Sequence, residues 1–255
     1  MSAPAGRPEP RDWDGATYDR VSDPMTRWGA DVLERLQLAG NETVLDAGCG
    51  SGRVTERLLE RLPWGRVVAL DASPSMVEVA RGRLAPFGDR VSFVVADLGA
   101  PLPLEPASVD GVLSTATFHW VPDHDALFAN LATVLRPRSR LVAQCGGAGN
   151  IAAVRTAILA AGEPWPGPWT FATPEETRRR LEAAGFRDVD AWLHDEPTPI
   201  EPGEPLREYL RTVVLGAHLE RLGPERGGAL VEAVADALPG GVIDYVRLNI
   251  SATRA

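Results

Sequence analysis

The sequence predicts an α/β fold built on a mostly parallel sheet with helices on both faces. Three observations carry the prediction. Between about residues 27 and 145, short β-branched runs alternate with stretches of helical spacing, the pattern of βαβ units. The first of those runs leads directly into a glycine-rich turn and then a helix. Aspartates close the first three strands, at Asp46, Asp71 and Asp97.

Residues 26–38 read as a first helix with Thr26 as its N-cap. Residues 43–47 form the first strand, and 53–62 carry Val54, Leu58, Leu59 and Leu62 at helical spacing before Pro63 stops the helix. Residues 66–70 form the second strand. A helix opening at Ser73 or Pro74 follows, then a third strand over 91–95. A Pro-rich loop at 99–107 precedes a fourth strand over 109–114. Residues 123–135 form a helix and 140–145 a fifth strand. The texture then changes. A helix at 150–161 leads into a Pro- and Trp-dense stretch at 163–171. The helix over 174–184 ends at Gly185, a good C-cap. A sixth strand over 186–193, helices near 204–221 and 225–238, and an alternating last strand over 242–252 complete the chain. Residues 1–12 read as a disordered tail, 13–255 as one domain, and about 146–240 as an insertion able to cover a site.

Composition narrows the partners. The 255 residues are 44% apolar with a formal charge of −9 and a pI near 5.0. A broad acidic surface repels phosphate backbones and anionic membranes, so neither nucleic acid nor membrane is expected. All 26 basic residues are Arg, so any cationic clamp is a guanidinium. Cys49 and Cys145 have no zinc-type spacing, so no metal is expected, and Cys49 inside a glycine loop does not suit a disulfide. No apolar run approaches the ~18 residues of a membrane span, and a cytoplasmic monomer or homodimer is expected.

The chemistry concentrates at 44-VLDAGCGSG-52. Glycines at 48, 50 and 52 let the backbone approach a ligand closely. The spacing GxGxG followed by Arg53 departs from the dinucleotide fingerprint GxGxxG. Asp46, two residues before the first glycine, would repel a pyrophosphate but suits a ligand with an ammonium group. Asp71 at the second strand end can accept from both ribose hydroxyls, and Asp97 at the third from an adenine amino group, with the Leu98 backbone against the ring. These features favour a cationic nucleoside over NAD. A cofactor-binding regulator without activity remains a third possibility.

VLDAGCGSG, 69-ALDAS-73 and 95-VADL-98 resemble the cofactor motifs of class I S-adenosylmethionine-dependent methyltransferases, over residues 13–145. The resemblance implies a Rossmann-like seven-stranded sheet with the last strand antiparallel, and S-adenosylmethionine as cofactor, leaving as S-adenosylhomocysteine. It implies that Gly48, Gly50 and Gly52 stand by the methionine portion, Asp71 by the ribose and Asp97 by the adenine. Ala47, Ala72, Met76, Leu98 and Thr115 complete the expected cofactor set, with Tyr18 closing the methionine end and Arg27 pairing its carboxylate. The segments 115-TATFHWVPDH-124, 18-YDRVSDPMTRWGADVL-33 and 169-WTFATPEETRRRLEAAGF-186 are similar to trans-aconitate methyltransferases, and FHWV also to the juvenile-hormone-acid type. Both imply a small-molecule carboxylate acceptor, with a phenolic or other natural-product acceptor as the alternative. The chain departs at 136-RPRSR-140, where the family has Pro-Gly-Gly, and at 145-CGGAGN-150, which can face the substrate.

His119, just after the fourth strand, is the candidate catalytic residue, as a general base or an acceptor-orienting donor. Trp120 is the candidate pocket wall. His124 reads as a surface residue. Trp165, Trp169 and Phe171 either line an apolar acceptor pocket or pack a lid. The run Arg178 to Arg180 reads as a solvated helix face. For an acceptor carboxylate, Arg27, Arg155 and Arg211 are the candidate partners.

Overall fold

The computed structural model describes residues 11–21 and 23–255. Residues 1–10 of the expected tail lie outside them. Seven strands form one sheet: β1 (Thr43–Ala47), β2 (Arg66–Asp71), β3 (Val91–Val95), β4 (Val109–Thr115), β5 (Leu135–Gly146), β6 (Phe186–Pro199) and β7 (Val242–Arg254). Their order is β3-β2-β1-β4-β5-β7-β6. The first five pair in parallel, and β7 runs antiparallel between β5 and β6. The expected sheet, with its antiparallel last strand, is the sheet observed.

The nine helices of the described residues are α1 (Gly15–Val21), α2 (Asp23–Glu34), α3 (Arg53–Glu60), α4 (Pro74–Leu84), α5 (His124–Val134), α6 (Ala152–Ala160), α7 (Pro174–Ala183), α8 (Glu204–Tyr209) and α9 (Gly216–Asp236). Period-2 alternation sends successive strand residues to opposite faces. Val44, Val67 and Leu113 pack with Leu33, Leu58 and Leu84 of α2, α3 and α4. Their strand neighbours Leu45, Leu70 and Val112 pack with Leu127, Phe128 and Leu181 of α5 and α7. A third cluster joins α6, α8 and α9 to Trp28 and Tyr245 and roofs one end of the sheet.

The differences from expectation have local causes. The front of the chain holds two helices, not one starting at 26. Thr26 lies within α2, and its side chain is outside the described residues. The α1 segment is held by tertiary bonds that periodicity does not register. Arg11 and Asp12, assigned to the tail, are engaged: Arg11 Nε donates to Glu220 at 2.6 Å and Asp12 Oδ1 accepts from the Ser75 amide. The expected 204–221 helix passes through a widened π turn at Leu210–Val214, and Gly223, at φ 76°, kinks α9 before Pro224. The Arg178–Arg180 face is not simply solvated. Arg178 donates to the Val189 carbonyl and Arg180 reaches Asp125, because α7 packs between β6 and α5. At 136–140, Arg138 adopts φ +69°, a left-handed conformation that glycine takes without strain. Among the described residues no helix is long and apolar enough to cross a membrane.

Candidate active site

The carboxyl ends of β1, β2, β3 and β4 open onto one cavity of about 640 Å³, within the range of small-molecule sites. The turn after β1 is tied down from β2. The amides of Gly48 and Cys49 both donate to the Leu70 carbonyl, at 2.8 and 2.9 Å, and the Gly50 amide donates to Asp71 Oδ2 at 2.9 Å. Gly48, at φ +92°, has no room for a side chain, since a Cβ would fall 2.1 Å from Thr117 Oγ1. At Gly50, φ +52°, a Cβ would meet nothing within 4 Å. The loop is thus closed against β4 at Gly48 and bare toward the cavity at Gly50, a cradle that fits close backbone approach by a ligand.

Of the expected cofactor residues, Tyr18, Gly48, Gly50, Asp71 and Ala72 line this cavity. So do Met76, Asp97, Leu98 and Thr115. Burial raises the Asp71 carboxyl above its ordinary range against the pull of the Ser73 and Gly50 amides. Asp97 accepts from the Gly99 amide at 2.8 Å.

Four expected cofactor residues do not line the cavity: Gly52, at φ +83°, caps α3 and packs toward Ala80 and Leu84, and three others turn away. Asp46 is 1% exposed and turns beneath the loop, where Thr55 Oγ1 donates to its Oδ2 at 2.6 Å; its Oδ1 is buried without a partner. Burial, opposed by the Thr55 bond, pushes its pKa up to about 7. Ala47 is sealed within the sheet, its carbonyl taken by Ser114 Oγ. Arg27 faces outward on α2 and pairs with Glu196 at 3.1 Å. The cationic residue actually held at the loop is Arg53. It bonds Asp19 of α1, which also accepts from Ser51 Oγ and from Arg83.

The other half of the cavity is aromatic. His119 and Trp120 line it, with Trp13, Trp165, Trp169 and Phe171. His119, Trp120, Trp169 and Phe171 form a closed circuit of rings with centroids 5.2–6.1 Å apart. His119 is 8% exposed. Its Nδ1 lies 3.2 Å from the Gly146 amide nitrogen. An amide only donates, so Nδ1 is the acceptor and the neutral ring carries its proton on Nε2. Burial foremost, then Arg247 and His124, hold the His119 pKa well below 6.5. His124 is buried, not on the surface, because Nε2 bonds the Phe118 carbonyl at 2.9 Å.

None of the three arginines expected to meet a carboxylate reaches the cavity. Arg27 is bound outside, Arg155 is exposed on α6, and Arg211 pairs with Glu204. The most deeply buried of the cations lining the cavity is Arg247 on β7, which sequence reading missed. It is 2% exposed and faces Gly146 across the β5–β7 ladder. Its guanidinium lies over Trp28 at 4.5 Å, and Nε donates to Gln144 Oε1 at 3.4 Å. Gln144 is fixed in turn by a bond to Asn249. Arg247 Nη2 has no partner, and no carboxylate is paired with Arg247 among the described residues. A buried guanidinium stays charged, so Arg247 is a buried positive charge with no carboxylate paired to it among the described residues.

A methyltransferase domain family matches residues 44–138. The chain is 30% identical over 242 residues to a trans-aconitate 2-methyltransferase of Methylobacterium radiotolerans, covering 90% of each chain. It is 36% identical over 182 residues to that of Methylobacterium nodulans, covering 71% of this chain and 67% of the relative. In fold it is similar to Haemonchus contortus phosphoethanolamine N-methyltransferase 2 in complex with S-adenosyl-L-methionine, with TM-score 0.65, 19% identity, and 94% of this chain and 56% of that one covered. It is also similar to a geranyl diphosphate methyltransferase, with TM-score 0.57, 21% identity, and 90% and 77% covered. With its glycine cradle, strand-end acids and sheet order, the chain belongs to the class I S-adenosylmethionine-dependent methyltransferases, in the family of the trans-aconitate 2-methyltransferases.

Proposed function

We propose that this enzyme methylates a carboxylate oxygen of a small-molecule acid. The observation that carries the reading is Arg247, a cation in the cavity wall that is 2% exposed and has no carboxylate paired with it among the described residues. A charge taken from water needs a partner of opposite sign, and an acceptor carboxylate supplies it. Arg247 stands on the far side of β5 from the glycine loop. Its strand β7 is three strands from β1 in the sheet order, at about 4.8 Å per strand, and on this reading its charge serves the acceptor.

The cofactor is held, on this reading, by the Gly48–Gly50 backbone at its amino-acid end, by Asp71 at the ribose, and by Asp97 with Leu98 at the adenine. S-adenosylmethionine supplies an electrophilic methyl: an oxygen lone pair forms the O–C bond while the C–S pair stays on sulfur, turning sulfonium into thioether. Carboxylate and sulfonium charges cancel, so no proton has to leave. That agrees with His119, whose neutral ring, with Nδ1 accepting from the Gly146 amide, carries its proton on Nε2. His119 then acts as a hydrogen-bond donor that orients the acceptor, and Trp120 as a wall that excludes water. A phenol would call for a base, which this tautomer does not offer.

The test is product chemistry. Incubation with methyl-labelled cofactor and a panel of carboxylic acids and phenols is expected to yield label in base-labile methyl esters, released as methanol by mild alkali. Label confined to base-stable phenyl ethers would refute the proposal.

A further inference from the structure

We infer that the acceptor is a monocarboxylic acid on an apolar, ring-sized body, and that an acid with further carboxylates close to the first is rejected. The inference rests on the carboxylate reading above and narrows it. Four arginines line the cavity: Arg11, Arg53, Arg221 and Arg247. Two are paired with carboxylates and the third stands exposed at the rim. Arg53 is bonded to Asp19 at 3.0 Å. Arg11 is neutralised by Glu220 at 2.6 Å and lies on Trp13 at 4.3 Å. Arg221 is exposed at the rim and lies over Trp165 at 5.2 Å. Only Arg247, among the described residues, combines deep burial, an unpaired nitrogen and no acidic neighbour. His119 Nε2–H is a second donor in the same chamber.

What surrounds these donors is mainly aromatic and aliphatic, with Asn150, Tyr18 and Tyr245 as polar residues among them. The four-ring circuit is extended by Trp13, 5.0 Å from Trp120. Ile151, Val213 and Val214 line the same cavity. Trp169 and Phe171 stack within 9° of parallel, a flat wall suited to an aromatic or extended apolar body. One carboxylate can sit on Arg247 and His119. A second a few ångströms away would face the rings of Trp120, Trp169 and Phe171, with no second deeply buried guanidinium free of an acidic partner, among the described residues, to meet it. Such an unpaired buried charge opposes binding by about a hundredfold or more. The preference therefore departs from the tricarboxylate in the relatives' names.

The experiment titrates the S-adenosylhomocysteine-loaded enzyme calorimetrically with 3-phenylpropenoate, decanoate and trans-aconitate, and measures methylation kcat/KM for each. At least one of the two apolar monoacids is expected to bind and turn over about a hundredfold better than trans-aconitate. Arg247→Met is expected to abolish acid binding while S-adenosylhomocysteine affinity holds. Trans-aconitate as the better acceptor would overturn this inference and leave the carboxylate reading standing. Methylation of a phenol such as 4-nitrophenol with none of the acids bound would overturn both. A folded Arg247→Met that loses S-adenosylhomocysteine would move Arg247 to the cofactor and overturn its role here. The wild-type comparison decides the preference even if that variant does not fold.

Discussion

Asp46→Asn tests the electrostatics beneath the glycine loop. The Asp46 carboxyl is buried, bonded only to Thr55, and its pKa is pushed up to about 7 from an ordinary 3.8. For an acid raised in the folded state the sign is as follows. Below pH 3.8 both folded and unfolded chains hold the proton, and nothing is lost. Between 3.8 and 7 the unfolded chain ionises first, and stability falls as pH rises. Above 7 the loss is complete. Each pKa unit corresponds to about 1.4 kcal/mol, so ionised Asp46 costs the ligand-free protein about 4 kcal/mol. Asparagine keeps the shape and the acceptor for Thr55 but never ionises. The stability of Asp46→Asn relative to wild type is therefore expected to climb by about 4 kcal/mol between pH 4 and pH 8, roughly 10 °C in Tm for a chain of this size. Urea denaturation at half-unit pH intervals measures it. Parallel stability curves with no pH-dependent separation would refute the reasoning.

Four further outcomes are expected. Asp71→Ala weakens S-adenosylhomocysteine binding by about 1–3 kcal/mol and loosens the loop, since the Gly50 and Ser73 amides lose their acceptor; calorimetry and amide exchange at Gly50 read the two effects. His119→Gln lowers kcat less than about tenfold, as loss of one hydrogen bond should. The wild-type rate stays level as pH rises through 6.5, because His119 is already neutral there, and a rate climbing through that range would restore a general base. Arg138→Gly relieves the left-handed backbone at φ +69° and raises stability by up to about 1 kcal/mol by thermal melting, the steric relief exceeding the added freedom of the unfolded chain.

The sheet was legible because its first five strands alternate with helices in a pattern that short-range periodicity reports faithfully. The strand-end acids were legible because strand ends are where an open parallel sheet gathers its ligand groups. Arg247 was not. In 242-VIDYVRLNISA-252 it reads as the polar side of an alternating strand. Only the pairing of β7 with β5, and the packing of Trp28 across it, reveal that the Ile243–Tyr245–Arg247–Asn249 side is buried. Tyr245 and Asn249 flanking the arginine at spacing two, with Gln144 opposite Asn249, were the available signal. Asp46 was located correctly along the chain, but which way its carboxylate turns depends on Thr55, one helical turn beyond the loop. The α1 helix escaped because it is held by Asp19 reaching Ser51, Arg53 and Arg83, contacts between residues 32 to 64 positions apart.

The unneutralised charge on Arg247 bears on how a catalytic cycle ends. An acid enters as an anion and, on the proposed chemistry, becomes a neutral ester. Methylation thus erases the feature the guanidinium recognises, while the apolar body that the rings grip is unchanged. The ester loses a charge-assisted hydrogen bond worth about 1.5–3 kcal/mol, a roughly ten- to hundredfold faster departure if the difference falls on dissociation. A waiting acid, which restores the lost pairing, outcompetes the ester for the chamber, so product inhibition by the ester is weak and turnover is driven forward by the site's own electrostatics.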